Sequence, residues 1–274
     1  MPRIEYRPKS HLNAASMVLW PYRRNVKSQC GEDGIIARIF EIIGETNKWC
    51  VEFGAWDGKR FSNTWNLIKN AGWTGILIEG DVLRFQKLRK TYRWNWRRTH
   101  LINAFVGLDR GKTLDELLKS ISAPRDLDLL SIDIDGNDWH VWNSLVRHRP
   151  RVVVIEFNPS VENDVYFVQD YDPAVNQGCS LLALVELGKT KGYELIASTD
   201  WNAVFVVREL FDRFGINDNS IDALHESSTI MKIFQGFDGT IFVAGDTRLY
   251  WQGGMKVNSE NLQVLPSEKR KWRG

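Results

Sequence analysis

From residue 32 onward, short apolar runs alternate with stretches whose apolar positions recur at helical spacing. Ile35, Ile36, Ile39, Phe40, Ile42 and Ile43 form a broad stripe over 32–43, with Glu32 and Asp33 in the first turn, where carboxylates suit the helix dipole. Apolar runs at 49–53, 75–79, 101–106, 127–134 and 151–157 predict strands, and the intervals 62–71, 83–92, 113–120 and 138–146 predict helices. This alternation predicts an α/β fold, a mostly parallel sheet with helices on both faces. A further helix at 180–191 leads to apolar runs at 193–197 and 203–207. Their short connection suits a hairpin, so the last strand is expected antiparallel. Residues 1–27 carry six Lys/Arg against one Glu and read as a surface arm or irregular cap. The main domain is expected over 28–208. From 209 to 274 the pattern changes to a β-rich extension, in which 229–234 and 240–244 flank a hairpin turn at Gly236-Phe237-Asp238-Gly239.

Composition narrows the class. With 274 residues, 43% hydrophobic and 26% charged, the chain is neither disordered nor fibrous and is long enough to bury a full core. The 36 Lys/Arg and 34 Asp/Glu leave a net charge of +2, which excludes a whole-molecule electrostatic nucleic-acid binder. Cys30, Cys50 and Cys179 form neither a CxxC pair nor a disulfide framework, and residues 1–7 contain no apolar segment of a signal peptide. No run approaches a membrane span. The expectation is a cytoplasmic protein, with a basic, frayed end at 269–273.

Two segments carry chemistry. The first, Val51-Glu52-Phe53-Gly54-Ala55-Trp56-Asp57-Gly58, joins a buried strand to the next helix, where open α/β sheets bind ligands. A dinucleotide requires G-x-G-x-x-G, and here Trp56 and Lys59 occupy the second and third glycine positions. An acid ahead of the glycine suits a cationic group instead: Glu52 is placed to hold an amino group, and Glu79, closing the second strand, to accept both hydroxyls of a ribose. Ser62 and Asn63 supply helix-capping groups near an anionic end. Against this stands the fact that a single glycine turn after a strand is common.

The second segment, Ser131-Ile132-Asp133-Ile134-Asp135-Gly136-Asn137-Asp138, puts Asp133 and Asp135 on one face, since strand side chains alternate. An EF-hand is excluded, because its glycine and glutamate positions hold Asp138 and Ser144. A haloacid-dehalogenase-like phosphatase also opens on D-x-D-G, with the first Asp as nucleophile and Mg²⁺ required. It carries that motif on its first strand and needs a later acidic pair. A third reading makes the two carboxylates face a sulfonium or a metal in a methyltransferase, and a fourth leaves them as solvated loop groups.

Taken in order, these segments resemble the class I S-adenosylmethionine-dependent methyltransferases, specifically the FkbM-like group. The resemblance rests on Ser28-Gln29, Glu32-Asp33-Gly34, the 52–58 and 62–64 segments and Gly75-Ile76-Leu77-Ile78-Glu79. It continues through Ser131 to Gly136, Val154-Ile155-Glu156-Phe157-Asn158-Pro159, Gly178-Cys179-Ser180 and Lys191 to Asn202. It implies a Rossmann-like methyltransferase sheet of seven strands with a reversed last strand. It also implies S-adenosylmethionine contacts at Gln29, Glu52, Gly54, Asp57, Gly58, Ser62, Asn63 and Glu79. Trp56 departs from the family's second glycine.

The expected activity is methyl transfer to a hydroxyl of a small polyhydroxylated acceptor, a sugar or glycoside. The phosphatase, or a non-catalytic binding module on the same fold, stands as the alternative. Asp133, Asp135 and Glu156 are the candidate catalytic residues. Asp135, Glu156 and Asn158, with Asp133 as an additional ligand, are candidates for Mg²⁺, since all offer oxygen ligands. The competing assignment makes Asp133 or Asp135 a direct base and Glu156 a substrate anchor.

Other features read more plainly. The stretch 84–98 has seven cations and no acid, and is expected to be a helix's outward face with aromatics packed below rather than an RNA-binding surface. Trp139, Trp142, Leu145 and Val146 form a core stripe, and His140, off that stripe, reads as a solvated surface histidine. The long segment 161–177, with Tyr166, Phe167, Asp170, Tyr171 and Asp172, reads as a lid suited to sugar rings and hydroxyls.

Overall fold

The computed structural model describes residues 12–95, 97–226, 231–245, 247–249 and 255–270. Its centre is a seven-stranded sheet in the order β3-β2-β1-β4-β5-β7-β6. In chain order the elements are α1 (Glu32–Ile43), β1 (Trp49–Phe53), α2 (Trp65–Lys69), β2 (Thr74–Glu79), α3 (Val82–Tyr92), β3 (Thr99–Asn103) and α4 (Leu114–Ser120). Then follow β4 (Leu129–Ile132), α5 (Asp138–Ser144), β5 (Val152–Glu156), α6 (Leu181–Thr190), β6 (Tyr193–Ser198) and β7 (Asn202–Val207). β7 pairs antiparallel with both β5 and β6, while β1 to β5 pair in parallel. The reversed last strand is therefore present, inserted between β5 and β6.

The strands read as unbroken apolar runs because both faces of the sheet are covered. On one face Phe53, Ile78, Ile132 and Ile155 pack with Trp142 of α5 and Leu184 of α6. On the other, Cys50, Leu77 and Val154 pack with Ile39 of α1, Ile68 of α2 and Leu88 of α3. Strand order reverses between β1 and β4, which opens a crevice at their carboxyl ends.

Buried carboxylates bolt the flanking segments to this frame. Asp33 accepts the backbone N–H groups of Val26, Lys27 and Ser28 at 2.7–2.8 Å. Glu32 accepts from Thr199 Oγ1 at 2.7 Å and Asn202 Nδ2 at 3.1 Å, so the turn carrying Gln29 is held against the start of β7. Gly34 allows this approach, because a Cβ there would collide with the Tyr22 carbonyl oxygen. Residues 12–27 run irregularly, with Leu19 buried.

Several boundaries differ from expectation. β3 (Thr99–Asn103) begins two residues before the expected 101–106 run and ends three residues short of it, so the chain from Ala104 onward lines the cavity as a loop. β4 stops at Ile132, leaving Asp133 beyond the strand. α5 ends at Ser144, so Val146 is 85% exposed, with its N–H donated to Asp115 Oδ2 at 2.8 Å. Trp94 is also exposed rather than packed below α3; Leu88 and Tyr92 fill that role, and Trp96 lies outside the described residues. In the extension, α7 (Ile221–Leu224) precedes the hairpin β8 (Lys232–Gln235) and β9 (Ile241–Ala244), followed by the short pair β10 (Arg248–Leu249) and β11 (Met255–Lys256). Residues 1–11, the 229–230 start of the expected strand and the basic end from Lys271 lie outside the described residues. No helix among the described residues is long and apolar enough to cross a membrane.

His225, just past α7, is buried with its ring edge-on to Phe157 at 5.0 Å and Nδ1 3.2 Å from Ser198 Oγ. Burial pushes its pKa down to about 4, although Asp200 pulls the other way. Between about pH 6.5 and 4 the unfolded chain therefore binds a proton that the folded chain refuses, so stability falls as pH falls through that window. The expected loss is about 3 kcal/mol at most. Urea melts at pH 7 and pH 4.5 should show it, and His225→Gln should reduce the difference; an unchanged difference would remove His225 as its source.

Candidate active site

A cavity of about 870 Å³ opens at the carboxyl ends of β1, β2, β4 and β5. Its construction begins at Gly54, where φ is +75° and a Cβ would collide with the carbonyl oxygen of Asp133. Only glycine lets the ends of β1 and β4 approach this closely. Gly58 also has positive φ, but its missing side chain makes room for Leu88 and Tyr92 of α3, and it does not line the cavity.

Glu52, the last but one residue of β1, is buried and takes up the start of the next helix. Its Oε2 accepts from Ser62 Oγ at 2.6 Å and Thr64 Oγ1 at 2.7 Å, and its Oε1 accepts from the Asn63 N–H at 2.8 Å. Burial raises its pKa, and these three bonds pull it back. Ser62 Oγ in turn accepts the Trp65 N–H at 3.0 Å, so α2 starts at Trp65, not at residue 62. Glu52 and Ser62 reach the cavity wall; Asn63 does not, and its amide instead donates to Ser131 Oγ at 3.1 Å. Asp57 is likewise off the wall, where Oδ1 accepts the N–H groups of Lys59 and Arg60 and fixes the turn.

Glu79 ends β2 and faces the cavity. Its two oxygens each accept one backbone N–H, from Trp56 and from Asp81, both at 2.8 Å. Those bonds fix the carboxylate plane and leave further lone pairs for a ligand. Gln29 reaches the same cavity from the turn ahead of α1.

The third wall is acidic. Oxygens of Asp133, Asp135 and Glu156 lie within 4.8 Å of one another. They converge although the strand alternation expected to align Asp133 and Asp135 is absent. Asp135 instead adopts a left-handed φ of 59°. Asp138 holds the loop in that shape, accepting the N–H groups of Ile134 and Gly136 at 2.9 Å each. Desolvation, then the charge of Asp138, then that of Asp135, pushes the pKa of Asp133 up to about 8. Glu156 is also raised, by desolvation and then by Asp133, and Asp138 rises to about 6, by desolvation first. Asn158 does not line the cavity: its Nδ2 donates to the Gln177 carbonyl at 2.8 Å and its Oδ1 accepts the Ser160 N–H at 2.9 Å.

The long loop after β5 contributes Tyr171 and Pro173 to the wall, but not Tyr166, Phe167, Asp170 or Asp172. Its organiser is Gln169, a residue that no motif or periodicity singles out. Gln169 is buried; its Oε1 accepts the N–H groups of Gln177 and Gly178, and its Nε2 donates to Val175 O and Asn137 Oδ1. His140 is half-buried rather than solvated, with Nε2 2.7 Å from the Gln169 carbonyl oxygen. Tyr171 OH then accepts the Leu108 N–H at 3.2 Å, joining this loop to the one after β3.

The sheet, with its reversed seventh strand and its cavity at the β1–β4 switch, has the fold of the class I S-adenosylmethionine-dependent methyltransferases. Within that class the chain resembles the FkbM-like group: residues 110–177, which carry the acidic cluster and the long loop, match the family model described as the Methyltransferase FkbM domain. No curated protein matches. Similar solved structures include the N-terminal domain of EvdMO1 with SAH bound, 13% identical over 65% of this chain and 80% of that one, TM-score 0.43. Another is the O-methyltransferase from Bacillus cereus in complex with SAH, 16% identical over 72% and 92%, TM-score 0.44. A third is the CcbJ methyltransferase from Streptomyces caelestis, 11% identical over 70% and 97%, TM-score 0.40.

The acidic cluster has a thermodynamic signature. Because Asp133 keeps its proton in the folded protein to about pH 8, whereas the unfolded side chain releases it near 3.9, the folded state loses stability as pH rises through that window. Asp133→Asn removes the penalty. Its melting temperature should match wild type near pH 4.5 and exceed it increasingly toward pH 8; an equal or lower value at pH 8 would contradict the shift.

Proposed function

We propose that this chain is an S-adenosylmethionine-dependent O-methyltransferase acting on a hydroxyl of a small polyhydroxylated acceptor, a sugar or glycoside. The observation that carries the reading is one cavity with Glu79 at one end and the clustered carboxylates of Asp133, Asp135 and Glu156 at the other. The cavity's volume also suits a nucleoside-sized ligand together with a small acceptor. The Asp-x-Asp follows the fourth strand, not the first, which weighs against the phosphatase.

S-adenosylmethionine, when bound, supplies the electrophilic methyl group. Glu79 accepts the ribose hydroxyls. Glu52 and Gln29 face the methionyl amino group, with Gly54 giving close backbone approach. Ser62, Asn63, Asp57 and Gly58 act behind them, by fixing Glu52 and the turn. Asp133 accepts the acceptor hydroxyl's proton at a carboxylate oxygen, and a pKa near 8 suits a base working near neutrality. Asp135 and Glu156 anchor the acceptor. The same three carboxylates fit a divalent cation such as Mg²⁺, which would relieve their repulsion and polarise the acceptor hydroxyl. In that case Asp133 replaces Asn158 in the ligand set. Residues 28–208 form the catalytic domain and 209–274 an extension; the three free cysteines suit a cytoplasmic, reducing compartment.

Calorimetric titration with S-adenosylhomocysteine tests the donor half. Glu79→Ala should weaken binding by about 1–3 kcal/mol, the cost of stranding hydrogen-bonded groups. An unchanged dissociation constant defeats the ribose assignment, and binding without turnover across a broad glycan panel favours a non-catalytic module. Once an acceptor is found, turnover should fall in EDTA and return with Mg²⁺. Full activity in chelator would eliminate the cation and leave Asp133 as direct base.

A further inference from the structure

The rim of the cavity above Glu79 carries a charge that the proposed donor does not use. Trp56, whose backbone N–H is held by Glu79, has two arginines against its half-buried indole: the guanidinium carbon of Arg60 lies 4.9 Å from the ring centroid and that of Arg84 5.1 Å. Arg60 also covers the Phe61 ring at 4.8 Å. All four side chains belong to residues lining the cavity. Both arginines are placed by carboxylates that spend themselves on backbone: Asp57 holds the Arg60 N–H at 2.8 Å and Asp81 holds the Arg84 N–H at 2.7 Å.

Among the described residues, neither guanidinium has a carboxylate partner. Some arginines elsewhere do have such partners: Arg23 with Asp200, Arg149 with Glu209, Arg151 with Asp128 and Arg208 with Glu194. Two cations against one indole repel each other, and a cation–π contact at an exposed site returns only about 0.5–1 kcal/mol. An oxyanion between them would remove the repulsion and take charge-assisted, two-pronged hydrogen bonds from each planar fork.

We infer that Arg60, Trp56 and Arg84 form a clamp for a phosphate or carboxylate group carried by the acceptor, remote from the hydroxyl that is methylated. The inference rests on the methyltransferase reading. In that reading the donor's one carboxylate lies at the Glu52 and Gln29 end, whereas the clamp lies at the ribose end, so the anion belongs to the acceptor. The cavity then orients its substrate electrostatically. An anionic group is drawn to the two arginines at the rim, which turns the hydroxylated end toward the acidic cluster. The substrate class becomes a phosphorylated or carboxylated sugar rather than a neutral one.

The test uses the full chain, pyrophosphate as probe, near-physiological salt, and EDTA so that no metal bridges phosphate to the acidic cluster. Calorimetry with saturating S-adenosylhomocysteine should show pyrophosphate binding to wild type. Arg60→Gln with Arg84→Gln should weaken it about tenfold or more while leaving S-adenosylhomocysteine affinity within about twofold. Arg89→Gln with Arg93→Gln, the same charge loss on the last turn of α3 and the residue that follows it, outside the cavity, should change neither. Equal pyrophosphate affinity in the clamp variant, or an equal loss in the α3 control, overturns the clamp. A fall in S-adenosylhomocysteine affinity with pyrophosphate binding unchanged assigns the arginines to the donor's own carboxylate and also overturns it. If wild type binds no S-adenosylhomocysteine, the methyltransferase reading fails, and the pyrophosphate titration without it still decides the clamp.

Discussion

The contact on which the site depends is the one between Gly54 and the backbone of Asp133. Parallel strands separated in the chain by β2 and β3 are brought side by side as β1 and β4, and their ends must diverge to make a crevice yet stay close enough to share it. A residue with a Cβ at position 54 would push the Asp133 carbonyl away and open that junction. Because Gly54 permits the approach, Glu52 on one strand and Asp133 beyond the other face the same cavity. The charge of Glu52 even contributes to the raised pKa of Asp133.

Around this junction the protein uses carboxylates as fasteners before it uses any as chemistry. Asp57 and Asp138 each accept two backbone N–H groups of their own turns, and Glu52 and Asp81 each accept one at the approach to a helix. An ionised carboxylate bonded to two or three N–H groups fixes a loop as tightly as a short strand would, and does so at the sheet's open end, where no ladder is available. The carboxylates left without such duty are Asp133, Asp135 and Glu156. Desolvation first, and then the charges of neighbouring carboxylates, Asp138 included, are why Asp133 and Glu156 titrate high.

This division explains what could be seen in the sequence. The strands and most helices were legible because burial on both faces writes continuous apolar runs and amphipathic stripes. The acidic residues were legible as a set, since polar groups at strand ends in such a fold have few purposes. Which acid does what was not legible: Asp138 and Asp133 look alike in a string, and only the loop path shows that one holds N–H groups and the other faces the cavity. The convergence of Asp133 and Asp135 was expected from strand alternation and arises instead from a left-handed turn. Gln169 was invisible for a different reason: its partners Asn137 and Gly178 are distant or unremarkable in sequence, and a lone glutamine in a polar loop carries no periodicity. Val146 falls outside the core stripe because α5 stops two residues short of the expected end, where Asp115 captures the backbone N–H groups of Val146 and Arg147.

Backbone strain supplies an independent pointer to the same place. Five described residues other than glycine have positive φ: Lys48, Trp56, Phe61, Ser122 and Asp135. Trp56, Phe61 and Asp135 line the cavity, and for a bulky side chain that conformation costs about 1–2 kcal/mol. Strain of this kind persists only where the surroundings over-determine it, and such places tend to be functional. Trp56 is the clearest case. It stands where a glycine would be expected, and at φ 47° it keeps the backbone a glycine would adopt. Its N–H still reaches Glu79, so the strand-end geometry is preserved, while the indole is carried out to the rim. The departure from the motif thus leaves the backbone's role intact and adds an aromatic surface at the cavity mouth that glycine could not provide.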